Sequence, residues 1–295
     1  MRILQIGSPK CGNLWLYKIL EEILDACNQN QYSFIEQQPI YQLAKNWDLN
    51  YPEQAQIDMI DITDLQTSYR ISSIYRMPID NMKEYISKTG HVWTHSPICK
   101  SSEEVFSYFD KKLYIIRDPR DRAISASKYY CSPYMLKYFP QPEENPKRYL
   151  AKHFDELMQT WTWHVFDHLK FRKKYNIHIL FYESFLLDFQ NELDRLLDYL
   201  NLKLPADQKK TLEENVSFRK MKKENPKHLK KGIHGYWKEQ LTEGQKHRAT
   251  TIAGPLLKRL GYEQLGKTQE FNPPVEFNWD FEIIKQRIIE SQQSR

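Results

Sequence analysis

Short apolar segments alternate with longer helical segments along most of this chain, and this alternation constrains the fold more than any other feature of the sequence. Strand-forming residues fill four short runs, at residues 3–6, 91–94, 113–116 and 178–181. Apolar residues return every three or four positions in five longer runs, at residues 13–28, 119–130, 150–175, 186–200 and 242–260. We therefore predict an α/β fold, with a single domain built on a central, mostly parallel β-sheet flanked by helices.

Length and composition fit one folded unit followed by a short tail. The chain has 295 residues, of which 40% are hydrophobic and 27% are charged, so it can form a core and is not disordered as a whole. Residues 261–278 contain the Gly and Pro residues typical of a linker, and apolar residues then recur with helical spacing from 279 to 289. We predict a domain over residues 1–265 and a tail over residues 266–295, made of a linker and a short amphipathic helix.

Cysteine content and apolar segments bear on the cellular compartment. The four cysteines are too few for a disulfide scaffold and lack the paired spacing of a zinc site. A strand-like run begins at once without a signal peptide, and no stretch approaches the roughly 20 apolar residues that a membrane span needs. These features predict a cytoplasmic protein without a membrane partner.

Positive charge is concentrated in one segment. The net charge is only +5, but residues 219–231 contain seven Lys or Arg residues and one Glu. Such a segment attracts an anionic ligand. Nuclear localisation or nucleic-acid binding is the alternative interpretation. It is less favoured because the chain as a whole is weakly basic, so we expect no nucleic-acid partner.

The loop after the first strand has the form of a phosphate-binding loop. Gly7 and Gly12 have the spacing of a Walker A loop, and a helix follows directly. A nucleotide triphosphatase needs Lys and then Ser or Thr after the second glycine, but Asn13 and Leu14 stand there. The loop therefore lacks the hydroxyl that binds Mg²⁺, and a P-loop kinase that uses ATP is the weaker alternative. Cys11 is not expected to be a nucleophile, because the arginine of a Cys-x5-Arg motif is absent.

Polar residues follow three further strands at their carboxyl ends, where open α/β sheets bind ligands. His95 follows the second predicted strand, Arg117 the third and Tyr182 the fourth. Ser125 lies one to two turns into the helix that begins at Pro119. Each alone is compatible with a structural function, but together they predict a site at one edge of the sheet.

Taken in order, these motifs resemble the cytosolic-type sulfotransferases, which use 3′-phosphoadenosine-5′-phosphosulfate (PAPS). The resemblance covers residues 2–262. The YPKSGTTW loop of the family corresponds to residues 8–15, RNPKDxxxS to 117–125, THxP to 94–97 and the YED-type tyrosine to 182–183. The SFxxMK and RKGxxGDWK blocks correspond to residues 217–222 and 230–238.

The resemblance implies a function for each matched residue. Lys10 and His95 would be catalytic, with His95 as the general base. Trp15 and Phe218 would sandwich the adenine, and Tyr182 would hydrogen-bond beside it. The 5′-phosphate would be bound by Lys10, Cys11, Gly12, Asn13 and Leu14. The 3′-phosphate would be bound by Arg117, Ser125, Leu229, Lys230, Lys231 and Gly232.

Five departures from the family pattern bear on the expected site. Asn13 and Leu14 replace two threonines, and Trp93 replaces a lysine two residues before the histidine. Tyr236 replaces an aspartate, and Lys230 replaces an arginine, which loses bidentate geometry on a phosphate.

The expected reaction is an in-line displacement at sulfur, with PAPS as donor and 3′-phosphoadenosine-5′-phosphate (PAP) as product. A lysine can stabilise the charge on the leaving phosphate without a metal, so we expect no metal requirement. The acceptor would be a hydroxyl or amine of a small metabolite or natural product, held by residues 32–80 and 129–149, which are rich in aromatic residues. Aromatic walls favour an aromatic acceptor, and Asp58, Asp61 and Asp64 favour a cationic one.

Overall fold

The computed structural model describes residues 1–29, 32–224, 232–263 and 271–293. Among these residues, seven strands form one sheet: β1 (Ile3–Ile6), β2 (Met59–Ile62), β3 (Thr67–Ile71), β4 (Tyr75–Pro78), β5 (His91–Thr94), β6 (Lys111–Ile116) and β7 (Ile177–Phe181). Their order across the sheet is β4-β3-β2-β5-β1-β6-β7.

The sheet is mostly parallel, as predicted. The pairs β2–β5, β5–β1, β1–β6 and β6–β7 are parallel, and β2, β3 and β4 form an antiparallel meander at one edge. Every residue of β1 and β5 is buried, as in parallel sheets covered on both faces. Since parallel strands end at the same edge, the residues that follow β5, β1, β6 and β7 lie near one another.

Fourteen α-helices are described: α1 (Asn13–Ala26), α2 (Tyr41–Ala44), α3 (Met82–Ser87), α4 (Ser102–Ser107), α5 (Pro119–Tyr130), α6 (Pro133–Tyr138), α7 (Pro146–Tyr175), α8 (Tyr182–Leu187), α9 (Phe189–Leu200), α10 (Ala206–Asn215), α11 (Phe218–Glu224), α12 (Trp237–Gln240), α13 (Glu243–Arg259) and α14 (Phe281–Gln293). The long helix α7 packs against α5 and α13. Asn145 caps its start by accepting from two main-chain N–H groups, and Asn176 ends it in the left-handed conformation. None of the described helices is both long and apolar enough to cross a membrane.

Predicted and observed elements agree best where periodicity is strong. The strands at 3–6 and 91–94 and the helix at 119–130 have the predicted bounds. The helix predicted over residues 186–200 is wrong as one element. It consists of the end of α8 and all of α9, since the backbone of Asp188 is not helical and its side chain caps α9. The sequence does not predict the β2–β4 meander. No residue of β4 is fully buried, and its apolar residues do not alternate with polar ones.

The tail contains the helix expected there. α14 packs against α13 and buries Ile284 and Ile288. The predicted domain boundary at residue 265 falls outside the described residues, so it stays a prediction.

Candidate active site

The loop between β1 and α1 adopts a conformation that only certain residues allow. Lys10 has φ 70° and Gly12 has φ 93°, so both are left-handed. A Cβ at position 12 would lie 2.4 Å from the ring of Tyr182, which requires glycine there. Helix α1 starts at Asn13, and its first turn lines a large cavity. The free N–H groups of that turn can bind an anion.

Side chains behind the loop fix its shape. Arg122 Nε donates to the carbonyl oxygen of Pro9 at 2.9 Å, while its Nη1 donates to that of Leu157 at 2.7 Å. Asn13 Nδ2 donates to the carbonyl oxygen of Ser8 at 2.9 Å. Asn13 therefore uses its amide to hold the loop, where the resembled family has a threonine hydroxyl.

Cys11 is part of the loop but does not line the cavity. It is fully buried, and its main-chain N–H donates to the carbonyl oxygen of Ser8 at 3.2 Å. Burial raises the pKa of its thiol to about 11, because the thiolate is disfavoured away from water. The thiol is therefore protonated at neutral pH, consistent with the expectation that it is not a nucleophile.

His95 follows β5 and lines the same cavity as Lys10. Its Nδ1 lies 2.5 Å from the carbonyl oxygen of Gly7, which can only accept, so Nδ1 carries the proton and Nε2 is an acceptor. Burial, followed by the positive charges of Arg70, Lys10 and others, lowers the pKa of His95 to about 3. The imidazole is therefore neutral at physiological pH, with a lone pair on Nε2.

A buried polar chain supports His95 from behind. His164 Nε2 lies 3.2 Å from the carbonyl oxygen of His95, and Tyr114 Oη lies 2.7 Å from His164 Nδ1. His168 Nδ1 donates in turn to the carbonyl oxygen of His164 at 2.7 Å. These bonds fix the orientation of the backbone at the end of β5.

Arg117 and Tyr182 form a stacked pair at the ends of β6 and β7. The guanidinium of Arg117 lies 4.3 Å from the ring centroid of Tyr182, whose ring also meets Trp15 edge-on at 5.4 Å. Arg117 Nη1 donates to the carbonyl oxygen of Lys10 at 3.3 Å. Its buried Nε–H has no partner among the described residues. That free donor on a cationic side chain fits an anionic ligand such as a phosphate.

Asp121 also lines this cavity, and it fixes the segment that contains Gly235 and Trp237. Its carboxylate accepts from the N–H groups of Gly235 and Trp237 at 2.6 and 2.7 Å. Burial and the negative charge of Asp118 raise the pKa of Asp121 to about 6. The same segment includes Gly232, where φ is 57° and a Cβ would lie 2.2 Å from the ring of Phe218.

The predicted donor-site residues fall into three groups in the structure. One cavity of about 860 Å³ is lined by Lys10, Gly12, Asn13, Leu14, Trp15, His95, Arg117, Ser125, Tyr182, Phe218 and Gly232. Cys11 lies behind its wall. Leu229, Lys230 and Lys231 lie outside the described residues, so their assignments stay predictions.

The other half of the cavity is lined by residues between 48 and 76 and between 129 and 146. These fall within the two segments expected to hold the acceptor. Aromatic side chains form much of this wall, including Tyr51, Trp93, Tyr129, Tyr130 and Tyr134.

The acidic set that favoured a cationic acceptor does not form one site. Asp58 is buried and accepts from the N–H groups of Phe34 and Ile35, so it holds the backbone there. Asp64 accepts from the exposed N–H of Lys100. Only Asp61 lines the cavity, and it pairs with two arginines. The expectation of a cationic acceptor based on these three residues therefore lacks structural support.

Sequence reasoning missed three residues that shape the site. Asp121 and Arg122 stand inside the matched 117–125 block, beside the residues that were singled out. Glu183 follows Tyr182 and accepts from Asp118 N at 3.0 Å and from Tyr262 Oη at 2.9 Å, which ties the ends of β6 and β7 together. The available signal for Asp121 and Arg122 was the density of charged residues from 117 to 122, and for Glu183 it was its place two residues after the end of β7.

Among the described residues, no group of three or more His, Cys, Asp or Glu side chains could hold a metal ion.

Comparisons with known proteins agree with the motif pattern. A family model described as "Sulfotransferase domain" matches residues 1–261. Mouse (Mus musculus) sulfotransferase 2A1 is 26% identical over 231 residues, which cover 67% of this chain and 78% of that protein. Mouse sulfotransferase 2A6 is 26% identical over 174 residues, which cover 52% of this chain and only 58% of that protein.

Solved structures show the same fold. Mouse sulfotransferase SULT7A1 complexed with PAP superposes with a TM-score of 0.56 at 19% identity, covering 84% of this chain and 81% of that one. Retinol dehydratase in a complex with retinol and PAP gives a TM-score of 0.57 at 19% identity, covering 92% and 84%. The family predicted from the motifs is confirmed: this chain belongs to the sulfotransferase domain family.

Proposed function

We propose that this protein is a PAPS-dependent sulfotransferase that moves a sulfuryl group to a hydroxyl or amine of a small-molecule acceptor, with His95 as the general base. The observation that carries the proposal is the orientation of His95. Burial keeps the imidazole neutral, and its Nδ1–H donates to the Gly7 carbonyl oxygen, so Nε2 is the basic atom. His95 and Lys10 line one cavity, between the loop and the aromatic wall.

The donor half of the cavity suits a nucleotide with phosphates at both ends of its ribose. The first turn of α1 and Lys10 can hold the 5′ side. The free Nε–H of Arg117, together with Ser125 and the segment at Gly232, can hold the 3′-phosphate. Leu229, Lys230 and Lys231 are proposed to complete that second group.

Trp15 is proposed to stack on the adenine together with Phe218. Its indole Nε1 donates to the carbonyl oxygen of Val216 at 2.9 Å, which fixes the ring orientation. Stacking on an aromatic face is worth roughly 1–3 kcal/mol per base.

PAPS, when bound, supplies the sulfuryl group, and PAP is left when the bond to its 5′-phosphate breaks. Lys10 is proposed to stabilise the negative charge that grows on the leaving oxygen. Its Nζ lies 4.3 Å from the ring centroid of Tyr129, which holds it at the junction of donor loop and acceptor wall.

His95 Nε2 is proposed to take the proton of the acceptor as its oxygen or nitrogen attacks. Burial and nearby positive charges make the unliganded imidazole a weak base. An anionic donor beside Lys10 would offset part of that positive charge and raise the basicity of Nε2 in the complex. No metal is needed in this scheme.

The acceptor is proposed to be a small metabolite or natural product, with an aromatic body matched to the aromatic wall. The two retinol dehydratase structures, which share this fold, are complexes of that protein with PAP and retinol or androsterone. The reaction is proposed to take place in the cytoplasm, where free cysteines such as the four in this chain are the rule.

The test replaces His95 by asparagine, whose amide N–H can still donate to the Gly7 carbonyl oxygen but which has no base. PAP released from PAPS is measured with a panel of simple phenols, alcohols and amines. Turnover should fall by about 10²- to 10⁴-fold. PAP affinity, measured by calorimetry, should change little. The matched control is His153→Asn, since His153 lies on α7 beside Glu143 and Glu156, away from the cavity.

Two results would contradict the proposal. Turnover in His95→Asn at the wild-type rate would remove His95 as the base. No PAP release by the wild-type protein with any member of the panel, although PAP binds, would contradict the transferase activity itself.

A further inference from the structure

Two arginines and one aspartate form a cluster in the acceptor half of the cavity. Asp61 Oδ1 lies 3.1 Å from Arg70 Nε, and Asp61 Oδ2 lies 2.6 Å from Arg76 Nη2. All three residues line the cavity. The other carboxylate on this side, Asp48, is exposed and faces Lys137 at 3.4 Å. Two guanidinium groups therefore share one carboxylate, and a net positive charge remains.

Arg70 is the buried member of this pair of arginines. Its side chain is 12% exposed, against 63% for Arg76. Strand β3 fixes it, and its Nη1 donates to the carbonyl oxygen of Ser72 at 2.7 Å. A guanidinium has five N–H donors, so the contacts with Asp61 and Ser72 use only part of its capacity.

The neighbouring polar groups are already satisfied by one another. The hydroxyl of Ser72 bonds to Tyr134 Oη and accepts from Gln54 Nε2 at 2.7 Å. Gln54 Oε1 accepts from the N–H of Asn50 at 2.9 Å. This network fixes the wall around Arg70. The guanidinium of Arg70 is the positively charged group in that wall.

Arg70 lies within electrostatic reach of the proposed base. After burial, its positive charge is the largest cause of the lowered pKa of His95. It also opposes the rise that burial causes in the pKa of Tyr129. Arg70, His95 and the aromatic Tyr129 also line the same cavity, so a ligand that contacts both Arg70 and His95 lies in the cavity that Tyr129 lines.

We propose that the acceptor is a hydroxyaryl compound that carries a carboxylate, with the carboxylate bound by Arg70 and the hydroxyl at His95 Nε2. The guanidinium fork matches a carboxylate in plane and charge. The aromatic wall between the two ends suits a ring. This inference rests on the proposed function, and it reverses the charge expected from the acidic residues of the sequence.

The test uses three phenols that differ in one group. They are 4-hydroxyphenylacetate, 4-hydroxyphenylacetamide and tyramine, with charges of −1, 0 and +1 on the same ring. Each is titrated by calorimetry into protein saturated with PAP. The carboxylate should bind at least about tenfold more tightly than the amide, because a guanidinium can form two parallel hydrogen bonds with a charged carboxylate and only one with the oxygen of a neutral amide. Tyramine should bind most weakly.

Two variants assign the preference to one residue. Arg70→Gln should reduce the affinity for the carboxylate to that for the amide, whereas Arg70→Lys should keep part of the difference. The control Arg195→Gln makes the same charge change on the surface of α9 and should keep the full preference. PAP affinity of each variant serves as the check that it is folded.

The outcomes separate this inference from the proposed function. Failure of PAP to bind contradicts the proposed function before any phenol is added. If PAP binds but the carboxylate binds no more tightly than the amide, the inference is overturned and the proposed function is not. The same holds if PAP binds and neither of these two phenols does. A full carboxylate preference in folded Arg70→Gln overturns the assignment to Arg70. If Arg70→Gln does not fold, the comparison of the three phenols with the wild-type protein still decides the charge preference.

Discussion

Asp121 gives the sharpest prediction, because one carboxylate holds a whole segment of the donor site. Its two oxygens accept from Gly235 N and Trp237 N at 2.6 and 2.7 Å. The anchored segment contains Gly232, which packs under Phe218, and the carbonyl of Ile233, which faces Arg117 Nη2 at 3.4 Å. Loosening this segment should therefore weaken binding of the 3′-phosphate.

The perturbation is Asp121→Asn, which keeps the size of the side chain. Asparagine has one carbonyl oxygen, so one of the two N–H groups loses its acceptor and faces an NH₂ group instead. Loss of a hydrogen bond to a charged group costs about 1.5–3 kcal/mol. If that cost appears in binding, PAP affinity falls by about 10- to 100-fold.

The assay is calorimetric titration with PAP and with AMP, which lacks the 3′-phosphate. The account predicts a large loss for PAP and little change for AMP. The control Asp194→Asn makes the same chemical change in a surface ion pair with Lys209 and should alter neither affinity. Equal losses for PAP and AMP, or no loss for either, would refute the link between Asp121 and the 3′-phosphate.

Three further predictions follow from the geometry. Gly12→Ala should lower the melting temperature by several degrees and weaken PAP binding, since the backbone is left-handed and the new Cβ would meet Tyr182; Gly244→Ala, with 4.0 Å to its nearest neighbour, should do neither. Iodoacetamide at pH 8 should spare buried Cys11 in the folded protein while the three partly exposed cysteines react; alkylated Cys11 in folded protein contradicts this. Burial lowers the pKa of His168 to about 4, so unfolding exposes a group that binds a proton more readily. Above pH 6.5 His168 is neutral in both states, and as the pH falls towards 4 proton binding by the unfolded state lowers the stability of the fold by about 3 kcal/mol. His168→Asn should make stability fall less steeply with pH in thermal melts, and an unchanged slope would contradict this prediction.

The fold and the position of the site could be predicted from the sequence because both depend on local patterns. Buried strands such as β1 and β5 are short runs with few polar residues. Helix α5 begins at Pro119, and proline is favoured at the first position of a helix. The predicted site residues that follow the parallel strands lie close together, because these strands end at the same edge of the sheet.

The remaining features depend on contacts between distant residues. Strand β4 has no apolar alternation, so its place in the sheet depends on its pairing with β3. The different environments of Asp58, Asp61 and Asp64 could not be predicted, because the three residues look alike in sequence. Their partners, from the N–H of Ile35 to the guanidinium of Arg70, are known only from the structure. Asp121 acts on residues more than a hundred positions away.

The central claim is a binding site for a 3′-phosphorylated adenine nucleotide that needs no metal. The most direct test is a thermal-shift titration with PAP, beside ATP with Mg²⁺, each repeated in EDTA. At 100 times its Kd, a ligand adds about 2.7 kcal/mol, which raises the melting temperature by several degrees. The account predicts stabilisation by PAP that persists in EDTA. Stabilisation only by ATP with Mg²⁺ would contradict it and favour a kinase-type loop.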